Sequence, residues 1–225
     1  MTDLTIIFLT VNRVPKEWAK LQRSVLEKAI GDTPVISISR EPLDFGTNVI
    51  QTEPESTSNI WFQLLRGAKL ATTPYIAVAE DDTLYPKEHF TFRPPDDTVA
   101  YDMNRWVVNT AIREHFYYYW PSIVNTSMIG PRTLVVEALE ERYARYPNGT
   151  PETHTGEIGR WMQEKRLHVT MRNKVSYYAE KPFVQFKHNY RGSYVGNVRR
   201  TRPGPIRETS LPDWGNVEDY IRKFI

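Results

Sequence analysis

The 225-residue chain contains no cysteine. Disulfides, thiolate metal sites and cysteine nucleophiles are thereby excluded, and any bound cation has to be held by oxygen or imidazole donors, a set that suits a hard, oxygen-preferring ion. There is no run of about 18 apolar residues of the kind that crosses a membrane as a helix. Met1-Thr2-Asp3-Leu4-Thr5 has neither the basic nor the apolar region of a secretory signal, so a soluble, cytoplasmic protein is expected. Charge of one sign is also scarce in excess: 29 Lys and Arg against 27 Asp and Glu leave a net charge of +2, too little to drive binding to nucleic acid by net charge alone. No internal repeat and no long low-complexity linker divides the chain.

The charges that are present are unevenly placed. From Lys181 to Arg207 there are seven Lys or Arg and no acid, whereas Glu53 to Glu55 and Glu80-Asp81-Asp82 are acidic. The acidic triplet ends the apolar run Tyr75-Ile76-Ala77-Val78-Ala79, bounded by Thr72-Thr73-Pro74 and Pro86, which reads as a strand buried on both faces. Open α/β sheets bind ligands beyond the carboxyl ends of their strands, so carboxylates there are placed to hold a divalent cation against a phosphorylated ligand.

Around that strand the pattern alternates. Leu4 to Thr10 forms a first buried strand, followed by the polar loop Thr10-Val11-Asn12-Arg13. A helix opens at Pro15, carries Trp18, Leu21, Val25, Leu26 and Ala29 on one face and stops at Gly31; Pro34 to Ser39 is a second strand. The β-α-β order predicts a right-handed crossover and a parallel pair. After a Pro-, Gly-, Asn- and Thr-rich loop, Ser58 caps a helix from about Asn59 to Ala71 with Ile60, Leu64, Ala68 and Leu70 or Ala71 inward. Thr98 to Tyr101 and Trp106 to Thr110 read as a hairpin, which makes the sheet mixed. Gly130-Pro131 introduces a helix to about Tyr146, and a further helix is expected over residues 156–165 with Thr155 as cap. Phe183 to His188 reads as a strand ending in a polar pair. The tail from Arg191, rich in Gly and Pro, is expected to be mostly loop.

The order of a strand ending in Thr10-Val11-Asn12-Arg13, a helix, a strand, a helix, and a run ending in Glu80-Asp81-Asp82 resembles the GT-A class of nucleotide-sugar glycosyltransferases, particularly the compact family 2-like enzymes. The likeness covers roughly residues 4–190. It implies an α/β, Rossmann-like fold with a mixed, mostly parallel sheet flanked by helices: a catalytic domain over residues 1–190 and a loop-rich, basic C-terminal extension over 191–225 packed on or near the active site. It further implies transfer of a hexose from a nucleotide-sugar donor, a UDP-sugar above all, to an acceptor hydroxyl with Mn2+ or Mg2+ as cofactor. Glu80 stands where the first Asp of the family's Asp-X-Asp motif usually stands.

By this resemblance Asp82 is the metal ligand and the central catalytic carboxylate, Glu80 shares the metal or, with Asp81, meets the ribose or sugar, and His188 returns to the same ion. Thr10, Asn12 and Arg13 take the base or ribose, or merely cap their loop; Asn59 and Gln63, one turn apart, meet the nucleotide or form an exposed polar face. An inverting transfer needs a base for the acceptor hydroxyl, and Glu157 takes that place, with Glu152 a weaker second choice. The aromatics Phe116 to Trp120, with Trp106 and Trp161, offer an acceptor platform or fill the core. Arg191, Arg199, Arg200 and Arg202 close over the diphosphate, bind a polyanionic acceptor, or are solvated. Lys187-His188-Asn189-Tyr190-Arg191-Gly192 and Arg199-Arg200 are also similar to small phage glycosyltransferases that act on hydroxymethylated pyrimidines in DNA, which adds modified DNA to saccharides as a candidate acceptor. Two other activities compete. A nucleotidyltransferase would use the same strand-end acids but would carry a Gly-rich loop after the first strand, where Thr10 to Pro15 has no glycine. A non-catalytic nucleic-acid-binding protein would rely on the basic tail and the aromatics.

Overall fold

A seven-stranded sheet organises the chain in the computed structural model, which describes residues 2–151, 156–187 and 204–224. Its strands are β1 (Leu4–Leu9), β2 (Val35–Ser39), β3 (Thr47–Ile50), β4 (Tyr75–Glu80), β6 (Thr98–Asp102), β9 (Met128–Pro131) and β10 (Asn173–Tyr177), in the order β10-β6-β9-β4-β1-β2-β3. Every neighbouring pair is parallel except the two that β9 makes, with β4 and β6. This is the expected α/β architecture with a mixed, mostly parallel sheet. β1 and β4 run in register from Leu4 opposite Tyr75 to Leu9 opposite Glu80. The polar loop after β1 and the acids after β4 therefore emerge side by side at the carboxyl edge.

Both faces of the sheet are covered, which is why the central strands are apolar throughout. On one face α2 (Thr57–Leu70) and α3 (Arg132–Arg145) bury Trp61, Leu64, Leu65, Ala68, Val135 and Leu139 against Ile7, Ile76 and Val78. On the other, Leu26 and Ile30 of α1 (Lys16–Ile30) meet Ile6, Phe8 and Phe45. Pro15 is the N-cap of α1, and Gly31 ends it at φ 56°, a left-handed conformation that favours glycine.

A second sheet of β5 (Thr83–Leu84), β7 (Arg105–Asn109), β8 (Tyr117–Tyr119), β11 (Phe183–Lys187) and β12 (Arg207–Glu208), ordered β12-β8-β7-β11-β5, stands beside the acids. The chain closes with β13 (Ser210–Leu211), β14 (Gly215–Asn216) and α5 (Val217–Phe224); α4 (Trp161–Leu167) precedes β10.

Several expectations are corrected. The predicted hairpin does not form: β6 joins the main sheet and β7 the second, because Asp102 accepts from the backbone N–H of Asn104 and Ala179 at 2.9 and 3.2 Å and turns the chain from one sheet to the other. The cap of α2 is Ser56, which accepts from Asn59 N, while Ser58 lies inside and accepts from Thr150 N at 2.9 Å. Ile60 and Leu70 face solvent; Ala71, the alternative to Leu70, is buried with Leu64 and Ala68, and Trp61 and Leu65 take further inward positions. The helix expected over 156–165 starts only at Trp161, since Gly159 at φ 76° breaks the helical path; Thr155 lies outside the described residues. β3 forms inside the segment expected as loop, and β10 forms over residues for which no element was expected. The C-terminal part, expected as loop, contains α5, whose Val217, Ile221 and Phe224 are buried at helical spacing against Trp18 and Phe186.

Candidate functional site

The three acids at the end of β4 act on one another electrostatically but take three different hydrogen-bond partners. Glu80 Oε1 accepts from Asn125 Nδ2 at 3.0 Å, Asp81 Oδ2 accepts from Thr10 Oγ1, and Asp82 Oδ1 accepts from Thr83 Oγ1 at 2.8 Å. Their backbone is clamped from behind: Trp18 Nε1 donates to Asp81 O at 2.7 Å, Gln22 Nε2 to Glu80 O at 3.2 Å and Thr83 O at 3.0 Å, and Phe186 N to Asp82 O at 2.8 Å. Burial, reinforced by the charge of Asp82, pushes the Glu80 carboxyl up to about 8 and that of Asp81 up to about 7.

Asp81 connects this loop to the polar residues expected to meet a nucleotide. Thr10 Oγ1 also accepts from Asn12 N at 2.9 Å, and Asn12, whose backbone stands at φ 56°, accepts through its side-chain Oδ1 from the N–H groups of Arg40 and Glu41 at 2.8 and 3.0 Å. Gln51 donates to Thr10 O at 3.4 Å and accepts from Asn59, which in turn accepts from Gln63; Gln63 also donates to Glu53 at 3.1 Å. Arg13 pairs with Glu55 at 2.6 Å. The structure thus brings Thr10, Asn12, Arg13, Asn59, Gln63 and Asp81 into one neighbourhood, in which Asn59 and Gln63 fasten the 51–55 loop rather than standing free on a helix face.

A cleft of about 400 Å³ opens beside this network, lined by Thr10, Asn12 and Asp81, by Glu41 and Leu43 after β2, and on α1 by Glu17 together with the cations Lys16, Lys20 and Arg23. The three cations recur at helical spacing on α1, a periodicity visible in the sequence but assigned no role in reading it.

Across the acids stands the second sheet. Arg105, only 3% exposed, donates to Ser122 Oγ at 2.6 Å and to Gln185 Oε1, and interacts electrostatically with Asp82, Glu80 and Glu157. Burial pushes its guanidinium down to about 10. Lys187, at the end of β11, lies over the Trp120 ring at 4.8 Å; burial and then the Arg105 charge outweigh Asp82 and bring its ammonium down to about 8. Neither residue was singled out from the sequence as part of the site. Arg105 carried no signal there, being the first residue of a short strand, whereas Lys187 was noted within a basic segment.

Glu157 precedes α4 and pairs with Arg160 at 2.9 Å. Burial raises its carboxyl above the ordinary range against the opposing charges of Arg160, Arg142 and Arg105. Its interaction with Arg105 links it to the neighbourhood of Asp82. The aromatics do not form one platform. Strand alternation puts Phe116, Tyr118 and Trp120 on one face and Tyr117 and Tyr119 with Trp106 on the other, while Trp161 on α4 is 53% exposed beneath Lys165. His188, Arg191, Arg199, Arg200, Arg202 and Glu152 lie outside the described residues.

Among the described residues no group of three His, Cys, Asp or Glu could hold a metal ion. Glu80 and Asp82 supply hard oxygen donors whose charges act on each other, a chemistry that fits Mg2+ or Mn2+ as part of a larger ligand set. No helix among the described residues is long and apolar enough to cross a membrane.

No protein-family model matches the sequence, and no curated protein matches it. Solved structures of similar chain path include a mannosyltransferase from Pyrobaculum calidifontis in complex with GDP-Man and Mn2+, with 13% identity over 88% of this chain and 60% of that one at a TM-score of 0.47. A glycosyltransferase involved in glycosylation of the major capsid of PBCV-1 has 12% identity over 81% and 92% at 0.44. A nucleotidyl transferase from Methanothermobacter thermautotroptrophicus has 15% over 80% and 88% at 0.43. Likeness at this level does not choose among activities, and the chemistry has to be read from the site.

Proposed function

We propose that this protein transfers a sugar from a nucleotide-sugar donor to an acceptor hydroxyl. The observation that carries the reading is the meeting, at the carboxyl edge of parallel strands, of the Glu80-Asp81-Asp82 loop with a cleft walled by Thr10 and Asn12. Such an edge is where open α/β sheets take nucleotides. In this reading the nucleoside occupies the cleft, with Asp81 and Thr10 toward the ribose, and the diphosphate extends toward Asp82. Asp82 and Glu80, with His188, would hold Mn2+ or Mg2+, which when bound neutralises charge on the diphosphate. Glu157 serves as base for the acceptor hydroxyl; its pair with Arg160 keeps the carboxyl oriented. Arg191, Arg199 and Arg200 are assigned to the diphosphate or to a polyanionic acceptor, the acceptor being a saccharide or a hydroxymethylated pyrimidine of DNA.

The cationic α1 wall favours a second reading. Lys16, Lys20 and Arg23 would suit the triphosphate of a nucleotidyl transfer, in which a sugar phosphate displaces pyrophosphate. Thermal unfolding with nucleoside diphosphates, nucleotide sugars and nucleoside triphosphates, each with and without manganese, separates the two. Stabilisation by a diphosphate or its sugar conjugate, lost in Asp82→Asn, supports sugar transfer. Stabilisation by a triphosphate alone turns the assignment to nucleotidyl transfer, and no stabilisation by any nucleotide removes both.

A further inference from the structure

The corner formed by Lys187, Arg105 and Trp120 is unusual in its charge balance. Arg105 and Lys187 project from the same face of the second sheet, two strands that pair in register from Arg105 opposite Phe183 to Asn109 opposite Lys187. They repel each other. No Asp or Glu among the described residues lies within ion-pair distance of either, and the side-chain partners of Arg105 are the neutral Ser122 and Gln185. Buried cations are normally paired. Two further donors on this face are buried without a partner, Arg105 Nε and the Tyr118 hydroxyl. Asp82 acts electrostatically on both cations, and Glu80 and Glu157 on Arg105, without a direct ion pair to either; residues 188–203, which follow Lys187, add four Arg and no acid.

The corner is also held rigid. The Lys187 carbonyl accepts from both Thr110 N at 3.0 Å and Thr110 Oγ1 at 2.9 Å, and Trp120, whose ring lies under the ammonium, donates its backbone N–H to Arg105 O at 3.0 Å. The neighbouring residue Phe186 donates to Asp82 O, so the cation is fixed to the same backbone as the acidic loop.

We infer that Lys187, seated on Trp120 and backed by Arg105, is an anion subsite that takes the diphosphate of a nucleoside diphosphate. The assignment of the nucleoside part rests on the sugar-transfer reading above; the anion site itself rests on the corner's charge. Lys187 is the contacting group, and Arg105 a positioning residue that keeps the corner electropositive.

The test is titration calorimetry on the full chain in chelator with inorganic pyrophosphate, UDP, GDP and the parent nucleosides. A charge-assisted hydrogen bond lost from a half-buried site weakens binding about tenfold or more. Lys187→Met should therefore weaken pyrophosphate and the preferred nucleoside diphosphate by that factor and leave the nucleoside unchanged. Lys187→Arg should retain most of the affinity, and Trp120→Leu, which removes no charge, should cost less than Lys187→Met. Equal diphosphate binding by wild type and a folded Lys187→Met overturns the inference while sugar transfer stands. Loss in Lys20→Met with none in Lys187→Met also overturns it, moving the anion to the α1 wall. Pyrophosphate binding that depends on Lys187, without binding of any nucleotide either in chelator or with manganese added back, keeps the anion site and removes the nucleotide reading. Absence of binding by wild type to every probe overturns the inference.

Discussion

At the acidic loop, three adjacent carboxyls hydrogen-bond to three different partners, and burial together with the neighbouring charge of Asp82 raises two of them, Glu80 and Asp81. A carboxyl raised above its ordinary range holds a proton in the folded state that the unfolded chain has released. Its contribution to stability is present in acid and disappears as pH climbs through the folded value. With Asp81 at about 7 and Glu80 at about 8, ligand-free protein in chelator should lose stability between pH 5 and pH 9. Thermal unfolding of wild type and Glu80→Gln across that range checks the sign. The variant should gain in melting temperature relative to wild type as pH rises, because glutamine keeps the acceptor for Asn125 and carries no charge. A constant difference would mean that Glu80 is ionised throughout and paired in solution.

Among the elements, α2 shows where local preference and packing disagree. Gly67 sits inside the helix, where glycine is unfavourable by about 1 kcal/mol relative to alanine, so the sequence predicts that Gly67→Ala stabilises. A Cβ there would stand 2.5 Å from Ile7 Cγ2 on β1. Overpacking of this kind costs about 1–3 kcal/mol, so chemical denaturation should show the variant to be less stable than wild type. The two serines at the start of α2 make a second contrast. Ser56→Ala removes a cap and should cost about 1 kcal/mol. Ser58→Ala should cost more, by removing a buried hydroxyl that accepts from Thr150 N and Oγ1 at 2.9 and 3.3 Å. The serine nearer the apolar run was expected to cap, because capping signals are accurate only to within a turn when two candidates stand two residues apart.

Across the molecule, the C-terminal helix and the acidic loop belong to one packed unit. Phe224 lies 4.6 Å from Trp18 and 5.5 Å from Phe186, ring centre to ring centre, and these two residues hold the backbone oxygens of Asp81 and Asp82. Phe224→Ala should cost about 3–5 kcal/mol and also weaken nucleoside diphosphate binding. A melting temperature and a diphosphate affinity both equal to wild type would reduce α5 to a loosely attached tail.

The alternation of buried strands and helices, the carboxyl-end position of Glu80-Asp81-Asp82 and the polar loop at Thr10 were legible in the amino-acid sequence. Periodicity and apolar runs are local, and a strand buried on both faces announces itself in its own residues. The separation of β6 from β7 into two sheets, the divergence of the three acids, the fastening of Asn59 and Gln63 to the 51–55 loop, and the Arg105–Lys187 corner were not legible. The Asn59 and Gln63 contacts join side chains 8 and 10 residues apart across a loop with no periodic pattern; the others depend on contacts between residues tens of positions apart, and a short edge strand or a single buried arginine leaves no periodic trace. Chain pattern placed the acids at the sheet edge; long-range packing settled which way each carboxyl turns and which cations stand opposite.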